Sequence, residues 1–164
     1  VGLISFTGQN FGAKKKENMR KCYWYSIAWM MIFWVVCAIL CATIPNALLS
    51  IFIKESEGMV ISSAIAAGRQ RLYIMGFTYF LDGLMDINSD YLRGMKVSTP
   101  PAIITMIGCS GTRILFLLTL FKTTTFHTIF WLYAAFPISW ILVNLVYIPV
   151  VLVSEKKMFK LIEE

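Results

Sequence analysis

Apolar residues dominate four long stretches of the chain, and most charged residues fall between them. The longest stretch without a formal charge runs from Cys22 to Ile53. A helix of about 20 apolar residues crosses the hydrocarbon layer of a bilayer, and runs of this length without strict alternation are not strands of a membrane barrel. The pattern predicts an all-α fold, a polytopic transmembrane helix bundle with four spans. These spans lie at about 23–53, 72–92, 97–121 and 126–153.

Prolines mark expected irregularities in the two longest spans. The first and fourth spans exceed the thickness of the hydrocarbon layer, so each helix must tilt, bend or continue into the interface. Pro45 lies in the first span, and Pro137 and Pro149 lie in the fourth. Because proline removes a backbone donor and clashes with the preceding turn, we expect bends at all three positions.

Basic residues indicate the side of the membrane on which each connection lies. Cytoplasmic loops carry an excess of Lys and Arg, and a basic cluster at 14–21 precedes the first span. Four crossings from that side leave the following cations inside: Lys14, Lys15, Lys16, Arg20, Lys21, Arg93, Lys96, Lys156, Lys157 and Lys160. The cations left outside are Lys54, Arg69, Arg71 and Lys122. The asymmetry predicts a multi-pass protein of the cell (inner) membrane with a cytoplasmic C-terminus.

The two ends of the chain differ in character. Residues 1–7 are apolar, lack an initiating methionine and show no signal-peptide pattern. We expect 1–21 to contain the end of a preceding helix and a cytoplasmic basic loop. Residues 22–153 then form the four-helix transmembrane region, and 154–164 form a cytoplasmic tail. The chain is interpreted as the C-terminal portion of a longer membrane protein.

Composition excludes two other classes of protein. The chain is 58% hydrophobic and 15% charged, with a mean hydropathy of +0.70, far from the averages of soluble domains. Its net charge of +6 comes from cations between apolar runs, not from the single basic face of a nucleic-acid binder. We therefore expect membrane lipid as a partner and no nucleic acid.

Aspartates supply the candidate chemistry. Asp82, Asp86 and Asp90 are the only aspartates of the chain, and their spacing of four places them along one stripe of a helix. Carboxylates within the bilayer are costly and usually face a cavity, pair with a cation or bind protons. Asp90 lies near the cytoplasmic end, where water can reach it. Asp82 and Asp86 are deeper and are the predicted cation- or proton-coupling residues, with a structural ion pair as the alternative.

One arginine lies deep in the third span. Arg113 is too far from either end of that span for its side chain to reach water easily. We expect it to be the ion-pair partner of Asp86 or Asp82, in a structural role or as a switch that a proton or cation breaks.

The other polar residues of the spans are expected to have structural roles. Asn46 and Asn144 are expected to form hydrogen bonds between helices. His127, the only histidine, is expected to anchor the outer end of the fourth span at the interface.

Three sequence segments resemble one family. They are GQNFGA at 8–13, YLRGMKVSTPP at 91–101 and GCSGTRI at 108–114. Together these segments resemble the multidrug and toxic compound extrusion (MATE) family over essentially the whole chain. The resemblance implies twelve helices in two lobes, with this chain supplying the end of the eighth helix and helices nine to twelve of the C-terminal lobe. It also implies antiport, in which drug-like or cationic small molecules leave as Na+ or H+ enters.

The resemblance also suggests a role for one aspartate. In the sodium-coupled branch of the family, an acidic residue lies eleven positions before the Arg of the Leu-Arg-Gly segment, which is Arg93 here. That position is Asp82, a candidate Na+ ligand, while Asp86 and Asp90 depart from the pattern. If coupling resides in the N-terminal lobe instead, Asp82 is structural. The resemblance implies that the missing N-terminal lobe is a partner of this chain. No cofactor beyond the coupling ion is expected, and the protein is not expected to be an enzyme.

Three alternatives remain open. A lipid-linked oligosaccharide exporter of the same superfamily has similar topology, although its cavity needs several cationic side chains to bind the diphosphate of its substrate. An Asp-rich, Mg-dependent membrane transferase would use the same aspartate spacing but needs further Asp or Asn clusters. A truncated remnant without transport activity is the third alternative.

Overall fold

The computed structural model describes residues 2–50, 58–119, 122–123 and 128–163, and it is helical almost throughout. The elements in order are α1 (Gly2–Gly12), α2 (Lys16–Thr43), α3 (Pro45–Ser50), α4 (Gly58–Gly94), α5 (Thr99–Thr105), a π-helical turn (Met106–Gly111), α6 (Thr112–Leu118) and α7 (Ile129–Glu163). The all-α prediction is confirmed for this part of the chain.

Three helical stretches are long and apolar enough to cross a membrane. They are Lys16–Thr43, Thr99–Leu118 and Ile129–Leu161. They correspond to the first, third and fourth predicted spans. Helix α4 contains the second predicted span and is also long enough to cross a membrane, but it is less apolar than these three stretches. Its three aspartates and its arginines lower its hydropathy, so the second span remains a prediction.

Several boundaries differ from the prediction. The first span is not one helix, because α2 ends at Thr43 and Ile44 leaves helical geometry with φ −126° and ψ 45°. Pro45 then begins α3, as expected of a residue that suits a first helical turn but disfavours helix in the residue before it. Residues 51–53 of that predicted span lie outside the described residues, as does His127.

Helix α7 is longer than the fourth predicted span. It contains Pro137 and Pro149 and continues to Glu163. The segment predicted as a tail therefore extends this helix. Helix α4 likewise begins at Gly58, so much of the connection predicted outside the membrane is helical.

Helix α4 is the centre of the bundle and packs against α1, α2 and α7. The buried core includes Met85, Tyr91, Leu92, Met95, Trp140, Val143, Tyr147 and Val151. The outer face of α2 is largely uncovered, with Trp29 and Phe33 each 72% exposed. Such a face suits lipid or further membrane helices, because lipid tails are as apolar as these side chains.

Two of the motif segments meet where α1 crosses α4. A Cβ added at Gly94 would lie 2.5 Å from Thr7 Cβ and 3.0 Å from the carbonyl oxygen of Ile4. A Cβ added at Gly8 would lie 3.5 Å from the carbonyl oxygen of Gly94. Thr7 is fully buried in this crossing. The glycines at 8 and 94 therefore allow two helices to approach closely, as small residues do in membrane bundles.

The same turn ends both of these helices. Lys14 and Lys96 have positive φ values of 58° and 64°, and each lies two residues after the last residue of its helix, Gly12 or Gly94. In both turns the backbone N–H of the following residue donates to a carbonyl five residues earlier, which satisfies a carbonyl at the helix end. A lysine in the left-handed region costs about 1–2 kcal/mol, so these bonds and the packing must hold it there.

Candidate functional site

The three aspartates lie along one stripe of α4, beside its buried face. Met85 and Leu92 of this helix are buried, whereas Asp86 is exposed and Asp82 is half-buried. No described residue forms a hydrogen bond or ion pair with Asp82 or Asp86, while Asp90 does have a partner. The stripe therefore presents two carboxylates without protein partners among the described helices.

Arg113 does not form the predicted ion pair with either aspartate in the described structure. Its Nε donates a hydrogen bond to Ser139 Oγ over 3.2 Å, and its Cζ lies 4.2 Å from the centroid of the Phe136 ring. The side chain is thus held by a hydroxyl and by an aromatic face on α7. Arg113 lies two residues after the π-helical turn Met106–Gly111. A π-helical turn changes the face that the following helix presents to its neighbours.

The predicted site residues are nevertheless neighbours. Arg113 lies within electrostatic range of Asp82, and Cys109 lies within that range of Asp82, Asp86 and Arg113. Cys109 itself is buried and donates to Met85 Sδ over 3.4 Å. The arrangement places two carboxylates and one guanidinium near the contact between Cys109 and Met85, without a hydrogen bond or ion pair between opposite charges.

A buried polar network joins α2, α4 and α7. The hydroxyl of Tyr23 donates to Asn88 Oδ1 over 2.7 Å, and Asn88 Nδ2 donates to Asn144 Oδ1 over 3.5 Å. Asn144 Nδ2 in turn donates to the carbonyl of Leu81 over 2.7 Å and to that of Trp140 over 2.9 Å. The predicted helix-to-helix role of Asn144 is confirmed. Asn46, by contrast, is exposed on α3.

Sequence reasoning missed the partners of Asn144. Asn88 belongs to the same helix as the aspartates but faces the core, and only its position relative to Met85 and Leu92 on a helix of period 3.6 could have indicated this. Tyr23 lies in a long apolar run, where nothing local distinguishes a bonded hydroxyl from an interfacial one.

A second polar cluster joins the basic ends of α2 and α7. Arg20 Nε lies 2.6 Å from Glu155 Oε1, and Tyr91 Oη donates to the same oxygen over 3.4 Å. The guanidinium of Arg20 and the ammonium of Lys16 lie 5.2 Å and 5.4 Å from the centroid of the Phe159 ring. The two basic segments therefore lie at the same end of the bundle, as the charge asymmetry predicted.

A cavity of about 900 Å³ lies between α2, α3 and α4. Its walls include Trp34, Cys37, Cys41 and Tyr79, and Trp34 Nε1 donates to the carbonyl of Gly76 over 2.9 Å. Within the described ranges, no three His, Cys, Asp or Glu side chains are grouped as metal ligands. The cavity is a largely apolar space rather than a metal centre.

Comparison with known proteins adds one finding. The model of the MatE family matches residues 1–119, a range that includes all three motif segments and Asp82, Asp86 and Arg113. Comparison with curated proteins and with solved structures found no significant match.

Proposed function

The chain belongs to the MatE family of membrane transporters, which are not enzymes, and from this premise we propose a specific transport function. The chain is part of a secondary active transporter that exports xenobiotic or organic-cation substrates in antiport with Na+ or H+. It supplies four helices of the C-terminal lobe, including α4 as a membrane span, and its C-terminus is cytoplasmic.

The unpartnered carboxylates of α4 carry this proposal. Asp86 is exposed and Asp82 is half-buried, and neither has a hydrogen-bond or ion-pair partner among the described residues. Ionised carboxylates at membrane depth are costly unless water, a proton or a cation attends them. Asp82 is the proposed coupling residue, and Asp86, one turn away, assists it by keeping the local potential negative.

The proposed mechanism is a shift between two conformations. A coupling cation that binds Asp82 more tightly in one state than in the other shifts the equilibrium by that difference in affinity. Binding of the coupling ion therefore favours release of the exported substrate, and the substrate favours release of the ion. Arg113 acts on Asp82 from a distance, so its charge weakens the hold of Asp82 on a cation and allows that cation to leave.

The test replaces Asp82 in the transporter that contains this chain. Asp82→Asn preserves the shape of the side chain but removes its charge. Ion-driven dye efflux from proteoliposomes should therefore fall to the level of vesicles that contain no protein. Insertion and folding, measured by size-exclusion elution, should be unchanged. Glu17→Gln is the control, because Glu17 is an exposed carboxylate that pairs with Lys21 at the end of α2. Efflux at the wild-type rate in Asp82→Asn would remove Asp82 from the mechanism.

A further inference from the structure

Two arginines from different helices line one cavity of about 330 Å³. Arg71 comes from α4 and Arg113 from α6, and α7 contributes Tyr133 and Phe136 to the wall. We call this space the two-arginine cavity. It is distinct from the larger cavity between α2, α3 and α4, although Arg71 borders both.

Neither arginine is neutralised by a carboxylate within the described part of the chain. Arg71 lies 6.0 Å from the centroid of the Tyr133 ring, and Arg113 contacts Phe136 and Ser139. A guanidinium has five N–H donors, and Arg113 uses only its Nε in a hydrogen bond to a described residue. Asp82 acts on Arg113 electrostatically but is not part of the cavity wall.

This arrangement favours an anion. Two cations that border one small space repel each other, and Arg113, which is half-buried, gains more from a counter-charge than a fully exposed arginine does. Guanidinium groups bind carboxylate and sulfonate oxygens through pairs of N–H donors. We propose that the two-arginine cavity binds a small organic anion, a carboxylate or sulfonate that carries a compact apolar group.

The walls of the cavity define the rest of the ligand. Leu117, Leu132 and Phe136 supply apolar surface next to the guanidinium groups. The volume lies at the lower end of the range for pockets that bind small molecules, which suits one ring or a short branched chain. The anionic end lies between Arg71 and Arg113, and the apolar group packs against α6 and α7. The site does not depend on ion coupling at Asp82.

A pair of isosteric probes tests the site. Benzoate and benzamide have nearly the same shape, and only benzoate is charged at neutral pH. Equilibrium dialysis of each radiolabelled probe against the purified protein in detergent, relative to empty micelles, measures binding directly. The wild-type protein should bind benzoate and should bind benzamide at least about tenfold more weakly, because a charge-assisted pair of hydrogen bonds is lost.

Variants locate the site. Arg71→Gln and Arg113→Gln should each weaken benzoate binding by about tenfold or more. Arg69→Gln is the matched control, because it removes the same charge two positions earlier on α4 from an exposed residue that does not line the cavity, and it should bind like wild type. If Arg113→Gln does not elute as a folded protein, Arg71→Gln decides alone. Equal binding of the two probes, or wild-type benzoate affinity in Arg71→Gln, would overturn the proposal.

Discussion

Replacement of Gly94 by alanine tests the close crossing of α1 and α4. The added Cβ would lie 2.5 Å from Thr7 Cβ and 2.8 Å from Thr7 Cγ2. Favourable contacts between carbon atoms lie at about 3.5–4.0 Å, so the two helices must separate by about 1 Å. Rotation of a side chain cannot relieve the overlap, because Thr7 Cβ is fixed to the backbone and the carbonyl oxygen of Ile4 is also only 3.0 Å away.

The expected cost follows from two opposing effects. Overpacking of a close contact costs about 1–3 kcal/mol, whereas alanine in place of glycine in a helix gains about 0.5–1 kcal/mol. Gly94 is the last residue of α4, so this gain is at the low end of that range. Overpacking is therefore the larger effect, with a net loss of about 1–2 kcal/mol. For a chain of this size, such a loss lowers the melting temperature by about 2–8 °C.

Thermal denaturation in detergent, followed by tryptophan fluorescence, measures this loss. Trp140 is a suitable reporter because it is 4% exposed in the core. Gly12→Ala is the control, since a Cβ added there would meet nothing within 4 Å, and its melting temperature should equal or slightly exceed that of wild type.

A second substitution checks the cause of the loss. Thr7→Gly removes the atoms that the new methyl group would strike, so it should restore part of the stability lost in Gly94→Ala. The double-mutant cycle should give a favourable coupling of about 0.5–3 kcal/mol. A Gly94→Ala protein as stable as Gly12→Ala, or a cycle without coupling, would show that the helices do not cross at these residues.

Two further substitutions test other contacts with the same assay. Gly108→Ala should cost about 1–3 kcal/mol of stability, because its Cβ would overlap Val143, a buried β-branched residue with little rotamer freedom. Gly111→Ala is its control, since the Cβ added there would make only an ordinary 3.7 Å contact. Equal stability of the two variants would contradict the packing of Gly108 against Val143. Asn144→Leu should cost about 1–3 kcal/mol by leaving buried polar groups without partners, whereas the exposed Asn46→Leu should have little effect, and a similar loss in both would refute the network.

Much of the helical architecture follows from local pattern. The apolar runs predicted α2, α7 and the helical stretch from α5 to α6, and the four-residue spacing placed Asp82 and Asp86 on one face of α4. Period and hydropathy act within one helix, so a sequence displays them directly. The polar role of Asn144 was also predictable, because an amide in an apolar helix requires a partner.

The partners of charged residues were not predictable in the same way. Charge alone suggested that Arg113 pairs with an aspartate, but the structure directs it to Ser139 and Phe136. Both partners lie on α7, and which face of α7 approaches Arg113 is set by the tertiary fold and not by local sequence. Arg20 and Glu155 are 135 residues apart, and only the tertiary fold brings them together.

Ion-driven export is the central claim, and its most direct test is substrate accumulation under imposed gradients. Proteoliposomes that contain the transporter of which this chain is part would be given a Na+ gradient, a pH gradient or neither, with a fluorescent organic cation as substrate. The account predicts accumulation against the substrate gradient with at least one of the two ion gradients, and its loss when the matching ionophore dissipates that gradient. Equilibration of the dye to the same level in all three conditions, unaffected by ionophores, would contradict it.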